Sequence, residues 1–62
     1  MGLDNYKTMD PYMLLSIVNL KLRDYYSNLD SLCDDLSIDK KELEEVLRKK
    51  DLEYVESINQ FK

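Results

Sequence analysis

Few side chains in this sequence could act as catalysts. The 62 residues include no histidine and one cysteine, Cys33. A nucleophilic side chain needs a base within hydrogen-bonding reach, and that base is usually a histidine. Cys33 shares an apolar stripe with Leu29, Leu32 and Leu36, and a buried thiol in apolar surroundings is inert. The sequence therefore predicts no catalytic residue and a protein that is not an enzyme.

The acidic side chains do not form a recognisable metal or acid–base site. Asp34 and Asp35 are adjacent, so on a helix they point to different sides. Residues 35–45 are rich in carboxylates but lack the D-x-D-x-D-G spacing of a calcium loop. Cys33 together with carboxylates would be a poor set of zinc ligands. We therefore expect no bound metal and no cofactor.

The stretch LDSLCDDLSIDKKELEEVL, residues 29–47, has the apolar spacing of a helix-turn-helix: two apolar stripes separated by a short break. In such a pair the second helix enters the major groove of DNA, with its N-terminal residues against the bases. Here residues 39–51 hold five acidic and five basic side chains, so this helix is neutral. The whole chain carries a net charge of −4, whereas a protein that binds phosphates normally has a basic surplus. The shape is expected, but nucleic-acid binding is not.

The first predicted helix carries the other candidate surfaces. Asp10 is a good N-cap and Pro11 suits the first helical position, so the helix should run from residue 11 to about residue 25. At 100° per residue, apolar side chains cover more than half of its circumference. One broad apolar face holds Leu14, Leu15, Val18, Leu22 and Tyr25, a second holds Met13, Ile17 and Leu20, and a polar wedge holds Ser16, Asn19 and Arg23.

Both the second face and the polar wedge have two interpretations. Met13, Ile17 and Leu20 either pack inside the domain or form an exposed interface, such as that of a homodimer. The wedge is either the wet side of the helix or a place for a small polar ligand or a partner's carboxylate. The candidate polar or nucleic-acid contacts are Asn19, Arg23, Lys41 and Arg48.

Two shorter helices follow. Asn28 is expected to cap a second helix over residues 29–36, with a capping box one residue earlier as an alternative. Asp39 is expected to cap a third helix over residues 40–50, with Glu42 at the capping-box spacing. Short polar segments separate the helices, which favours a helix-turn-helix-like arrangement.

The last segment changes period. LEYVESINQF, residues 52–61, alternates apolar and polar side chains and predicts two short strands with a turn near residues 56–57. Leu52, Tyr54 and Phe61 are candidates to cover the second face of the first helix. The expected fold is mainly α: a small three-helix, helix-turn-helix-like domain over residues 10–62 with a short C-terminal β-hairpin. Residues 1–9 form an arm that is either flexible or lies on the domain as a helical turn, since Leu3, Tyr6 and Met9 are spaced at threes.

Composition favours a folded protein of a reducing compartment. The chain is 44% hydrophobic and has only one glycine and one proline, unlike a disordered chain. A single cysteine at an apolar helical position fits a reducing environment. We find no signal-peptide pattern, no myristoylation pattern and no apolar run that could cross a membrane. The expected location is the cytoplasm.

Several motifs resemble one family. DPYMLLSIVNLKLRDYYSNLDSLCDDLSID, followed by ELEEVL, EY and NQF, is similar to short bacterial proteins grouped as the domain of unknown function 4250. The resemblance covers about residues 9–61, and its most specific pieces are D-P-x-M-L-L-S-I-V-N at residues 10–19 and L-R-D at residues 22–24. L-C at residues 32–33 and N-Q-F at residues 59–61 add to it. It implies proteins found mostly in Gram-positive anaerobes, without an assigned activity.

The resemblance also bears on structure. Family members tend to have Gly-Tyr after the third helix, where this chain has Asp51-Leu52, and a glycine there would supply a left-handed C-cap. Asp51 can adopt that conformation at some cost. The family-like polar residues lie on the first helix and the terminal strand, and the hypothesis is that Asn19 or Arg23 hydrogen-bonds to the hairpin and fixes its register. These residues are Asn19, Arg23, Asn59 and Gln60.

These observations favour a non-enzymatic cytosolic protein-interaction module. The second face of the first helix is the expected contact surface, and a homodimer is one form that the contact could take. The partner is otherwise unknown. The alternative is a nucleic-acid-associated regulator with a winged-helix-like body, which the net charge and the neutral third helix disfavour.

Overall fold

Three helices precede a small antiparallel hairpin. The computed structural model describes residues 5–62. The predicted mainly α fold with a C-terminal hairpin is confirmed. In chain order the elements are α1 (Pro11–Asp24), α2 (Leu29–Leu36), α3 (Lys40–Arg48), β1 (Tyr54–Val55), a 3-10 turn (Glu56–Ile58) and β2 (Gln60–Phe61).

The helices begin where their local sequence predicts. Asn28 accepts a hydrogen bond from the Ser31 amide at 2.7 Å, and Asp39 accepts one from the Lys41 amide at 2.9 Å. Pro11 occupies the first turn of α1 and Asp10 its N-cap position, both as predicted, but the carboxylate of Asp10 makes no capping bond. Only its backbone carbonyl takes part, by accepting from the amide of residue 14 at 2.9 Å.

A left-handed residue ends α3. Asp51 has φ 61°, the conformation that a glycine would adopt at lower cost. The Leu52 amide donates to the Leu47 carbonyl at 3.1 Å, and the Asp51 amide donates to the carbonyl of residue 48 at 2.8 Å, which together form a Schellman cap. The helix therefore stops at Arg48, two residues before the predicted end. Ser37, with φ 57°, ends α2 in the same way.

The core lies between the three helices and the hairpin. Each helix contributes three fully or nearly fully buried side chains at helical spacing, and β2 contributes one. Tyr25, predicted on the buried face of α1, is instead 73% exposed because α1 ends at Asp24, and Tyr26 is half-buried in its place. The buried apolar residues are Leu14, Val18, Leu22, Leu29, Leu32, Cys33, Ile38, Leu43, Val46, Leu47 and Phe61.

The hairpin has a defined register. Tyr54 pairs with Phe61 and Val55 pairs with Gln60, and the two aromatic rings lie 5.5 Å apart. The turn between the strands covers residues 56–58, one residue beyond the predicted position, and closes on Asn59 with φ 54°. Two-stranded hairpins are marginal alone, so this one depends on its contacts with the helices.

Residues 5–9 form a turn against the helices. The Thr8 and Met9 amides both donate to the Asn5 carbonyl at 3.0 Å. Tyr6 and Met9 pack against the core, as the spacing at threes suggests. The Tyr6 hydroxyl donates to Glu42 at 2.8 Å, so Glu42 serves this contact rather than a reciprocal capping box. Leu3, the third residue of that spacing, lies outside the described residues.

Candidate interaction surface

Asn19 attaches the last strand to α1. Its Nδ2 donates to the Phe61 carbonyl at 3.1 Å, and its Oδ1 accepts from the Phe61 amide at 2.8 Å. The carboxamide thus pairs with the free edge of β2 as a neighbouring strand would. The hypothesised hydrogen bond from Asn19 to the hairpin is present. Arg23 makes no such contact and pairs with Asp24 instead.

Asn59 joins the hairpin turn to two helices. Its Nδ2 donates to the carbonyls of Leu22 at 2.9 Å and Tyr26 at 3.0 Å, where the C-terminus of α1 has unpaired acceptors. Its Oδ1 accepts from the Tyr54 hydroxyl at 2.6 Å, and that hydroxyl accepts in turn from the Leu29 amide at 3.3 Å. Asn59 has a left-handed backbone conformation, with φ 54°, and makes these contacts from that position.

Gln60 completes this set of contacts. Its Nε2 donates to the Asn19 carbonyl at 3.0 Å and to the Asn59 carbonyl at 2.9 Å. We call Asn19, Asn59 and Gln60 the hairpin clamp. The residue types and spacing alone did not reveal the part played by Asn59. The signal available was an asparagine in a turn, which tolerates the left-handed conformation. The clamp fixes the hairpin in place and accounts for these polar residues structurally.

The outer face of α1 remains exposed. Met13 is 58% exposed and Leu20 is 48% exposed, whereas Ile17 is half-buried against the core. The hairpin docks on the Asn19 side of the helix, about 100° away from Leu20. The prediction that Leu52, Tyr54 and Phe61 cover this face is therefore wrong for Met13 and Leu20. We call Met13 and Leu20 the outer apolar strip. Tyr12, also exposed, lies about 80–100° away from them, on the Asn19 side of α1.

A groove runs beside the outer apolar strip. Its volume is about 320 Å³, at the small end of the range for ligand pockets. It brings the whole predicted polar wedge together with Leu20 from the predicted apolar face. Part of the hydrogen-bonding capacity of the groove floor is already used, because both polar atoms of the Asn19 carboxamide are bonded to Phe61. The lining residues are Leu15, Ser16, Asn19, Leu20, Arg23 and Gln60.

Arg23 is the cation of this groove. Its Nε lies 3.0 Å from Oδ1 of Asp24, its neighbour in the chain. This hydrogen bond raises the pKa of Arg23 and lowers the pKa of Asp24. Both side chains are well exposed, and an exposed pair of this kind contributes little to stability. The guanidinium can therefore turn towards a partner without a large loss of stability.

Lys41 and Arg48 lie on a different helix from Asn19 and Arg23. Both are exposed on the outer side of α3, where Glu45 is also exposed. Within residues 5–62 the ion pairs are Lys7–Glu42, Arg23–Asp24 and Lys40–Asp30, and none of them joins two residues of α3. The four candidate polar contacts therefore do not form one site.

A second groove lies between the arm and α3. It has a volume of about 230 Å³ and carries both signs of charge. The Lys7 ammonium lies 3.1 Å from the Glu42 carboxylate, which the Tyr6 hydroxyl also contacts. These two contacts lower the pKa of Glu42. The groove is lined by Lys7, Glu42, Glu45, Val46 and Lys49.

Cys33 is placed as a core residue. It is 5% exposed, and burial raises the pKa of its thiol to about 11, against a smaller opposing effect of Lys40. The thiolate, which is the reactive form, is therefore scarce at neutral pH. Over residues 5–62, no three side chains of histidine, cysteine, aspartate or glutamate group closely enough to hold a metal ion.

The fold and this surface define a small three-helix domain closed by a clamped C-terminal hairpin, with one helix face left apolar and exposed. The chain belongs to the family described as Domain of unknown function (DUF4250), whose sequence model matches residues 8–61. No curated protein and no solved structure matches it. Among the helices of residues 5–62, none is long and apolar enough to cross a membrane.

Proposed function

We propose that this chain is a non-enzymatic interaction module of the bacterial cytoplasm that binds a protein partner through the outer face of α1. The observation that carries the proposal is the exposure of Met13 and Leu20 on a helix whose opposite side forms the core. Apolar side chains that cluster on a surface typically mark a binding site. The exposed positions of α2 and α3 are almost all charged, so the apolar character is specific to α1.

The chemistry of the side chains supports a role in binding rather than catalysis. The sequence has no histidine. Its single thiol, Cys33, is buried and has a raised pKa, so it is a poor nucleophile. A protonated, buried thiol also suits a reducing compartment such as the cytoplasm.

The alternative function is association with nucleic acid. The order of α2 and α3 favours it, because the second helix of such a pair carries the basic residues Lys41 and Arg48 on its outer side. The net charge of −4 and the nearby Glu45 oppose it, because carboxylates repel phosphates. Titration with duplex DNA should show no binding at low salt. Affinity that falls steeply with salt and is lost in Lys41→Glu would favour the alternative.

Site-specific photo-crosslinking tests the interaction module directly. A benzoylphenylalanine replaces Leu20, and a matched variant carries it at Ile58, an apolar residue of similar exposure on the hairpin turn. Both full-length variants are irradiated in cells of the organism that makes the protein. We expect protein adducts from position 20 and few from position 58, because only the first lies on the proposed contact surface.

A second substitution shows whether the adducts report a specific surface. Adding Met13→Glu to the Leu20 variant should abolish the adducts, because it places a charge within the outer apolar strip. Adducts of equal yield from both positions would contradict the proposal, as would the absence of adducts from position 20.

A further inference from the structure

The groove beside Arg23 has the arrangement of a hole for helix packing. Ser16, Asn19, Leu20 and Arg23 stand at positions i, i+3, i+4 and i+7 of α1. Four residues at these positions form the hole that receives a side chain in knobs-into-holes packing. Because the Asn19 carboxamide is already hydrogen-bonded to Phe61, the floor of the hole can be covered by an apolar ring without losing a bond.

Tyr12 on the same helix is a knob that matches this hole. It is 56% exposed. At 100° per residue it lies within about 30° of the centre of the hole, and about seven to eight residues towards the N-terminus. Its ring is flat and wide enough to fill part of the groove, whose volume is about 320 Å³. Knob and hole therefore lie on one flank of α1, at two different heights.

This spacing is self-complementary in one orientation only. In an antiparallel pair with two-fold symmetry, the two α1 helices contact each other through the same flank and run in opposite directions. Each Tyr12 then meets the hole of the other copy at the same time. The same register sets Met13 beside Leu20 of the second copy. A parallel pair would instead set Tyr12 against Tyr12 and leave both holes empty.

The ends of α1 favour the same orientation. An antiparallel pair brings opposite ends of the two helix dipoles together. Arg23, in the last turn of α1, lies on the same flank as the hole. The Arg23 guanidinium comes to lie against the Tyr12 ring of the second copy, which is a favourable cation–π arrangement.

We propose that the partner bound by the outer face of α1 is a second copy of this chain, in a two-fold antiparallel dimer with Tyr12 of each copy in the groove of the other. This inference rests on the proposed function and names the partner of the same surface. A contact formed by one helix face of each copy falls below the size of a standard stable interface. The dimer should therefore form in the micromolar range and dissociate on dilution.

Molar mass in solution tests whether the pair exists. Sedimentation equilibrium over about 5 µM to 1 mM should show a rise from the 7.4 kDa chain towards twice that mass. Tyr12→Ala should weaken association at least tenfold. The matched control Tyr25→Ala, which removes an exposed tyrosine outside the groove, should change it less than twofold. Circular dichroism confirms that each variant is folded.

Disulfide trapping tests the orientation. In a mixture of Met13→Cys and Leu20→Cys, the antiparallel pair should form the mixed disulfide several times faster than either variant forms a disulfide with itself. Cys33 does not interfere, because its thiol is buried and protonated at neutral pH. Faster self-disulfides would overturn the proposed geometry, because they are the product of a parallel pair.

The two proposals fail in different ways. A mass that stays at one chain up to 1 mM overturns the dimer, and if position 20 still forms adducts with another protein in cells, the interaction module stands. A mass that doubles but is unaffected by Tyr12→Ala also overturns the inference, because the contact then lies elsewhere. A single-chain mass together with no adducts from position 20 overturns both.

Discussion

Replacing Asn19 with leucine removes the attachment between β2 and α1. The change deletes two hydrogen bonds, of 2.8 and 3.1 Å, to the amide and carbonyl of Phe61. Each hydrogen bond contributes about 1 kcal/mol net, and leaving half-buried backbone groups without partners adds about another 1 kcal/mol. Leucine restores roughly 0.5 kcal/mol through its better helix propensity. The expected loss is about 2–3 kcal/mol in the free energy of unfolding.

Such a loss is large for a domain of this size. A 62-residue chain has a stability of only a few kcal/mol, and 1 kcal/mol shifts Tm by about 4–8 °C in a small domain. Asn19→Leu should therefore lower Tm by roughly 10–20 °C. Asn19→Asp keeps the acceptor for the Phe61 amide and loses the donor, so about half the effect is expected.

Urea denaturation followed by circular dichroism measures the effect. Ser16→Ala is the matched control, because it alters an exposed position of the same helix and should stay within about 0.5 kcal/mol of the wild type. Hydrogen exchange adds a local readout: the Phe61 amide should lose protection in Asn19→Leu. This amide reports the attachment of β2 directly, since Asn19 is its acceptor.

Two results would refute the reasoning. Unfolding of Asn19→Leu within 0.5 kcal/mol of the wild type, at an unchanged dependence on urea, would show that the clamp contributes nothing measurable. A loss of stability with full protection of the Phe61 amide would show that the effect comes from α1 alone and not from the hairpin.

Three further predictions concern a helix end, the buried thiol and the N-terminal arm. Asp51→Gly should raise the free energy of unfolding by about 0.5–1 kcal/mol in urea denaturation, because glycine adopts φ 61° without steric cost. The control Lys49→Gly, at a right-handed position, should lower the free energy of unfolding by about 1 kcal/mol. The raised pKa of Cys33 means that the protonated thiol stabilises the fold at neutral pH and that this contribution is lost as the pH rises towards about 11. Labelling of Cys33 with iodoacetamide at pH 8 should accordingly be slow in the folded chain, and fast labelling without unfolding would contradict its placement. The contacts of Glu42 with Tyr6 and Lys7 lower its pKa in the folded chain. They therefore stabilise the docked arm at pH values above the usual glutamate pKa. This stabilisation weakens as the pH falls through the lowered pKa of the folded chain. The NMR signals of the Tyr6 ring should follow that transition, and Glu42→Gln should remove it; an unchanged transition in the variant would assign it to another group.

The starts of the helices could be predicted because their signals are local. Asn28 and Asp39 lie within three residues of the amides that they cap, so the sequence alone contains both partners. The predicted ends of α1 and α3 lie one and two residues beyond the observed ends. The resemblance to the family pointed to a left-handed residue at Asp51, and this residue is what stops α3.

The docking of the hairpin could not be predicted in detail, because its contacts link distant parts of the chain. Alternation predicted the two strands, but not the side of α1 on which they lie. That choice depends on the hairpin clamp, in which the bonds of Asn59 to Leu22 and Tyr26 span 37 and 33 positions. No periodic pattern records such a contact. Only the contact of Asn19 with the hairpin is predictable, from the polar residues that the chain shares with the family.

The clamp also explains why one face of α1 is left uncovered. The core uses Leu14, Val18 and Leu22, and the hairpin is attached on the Asn19 side, so the fold already satisfies two sides of the helix. Folding of the domain does not require apolar side chains on the remaining side of α1. Single exposed apolar residues are common on protein surfaces, but Met13 and Leu20 lie on one face of α1, and Leu20 also lines the groove. The proposed contact would remove these side chains from water, which favours association.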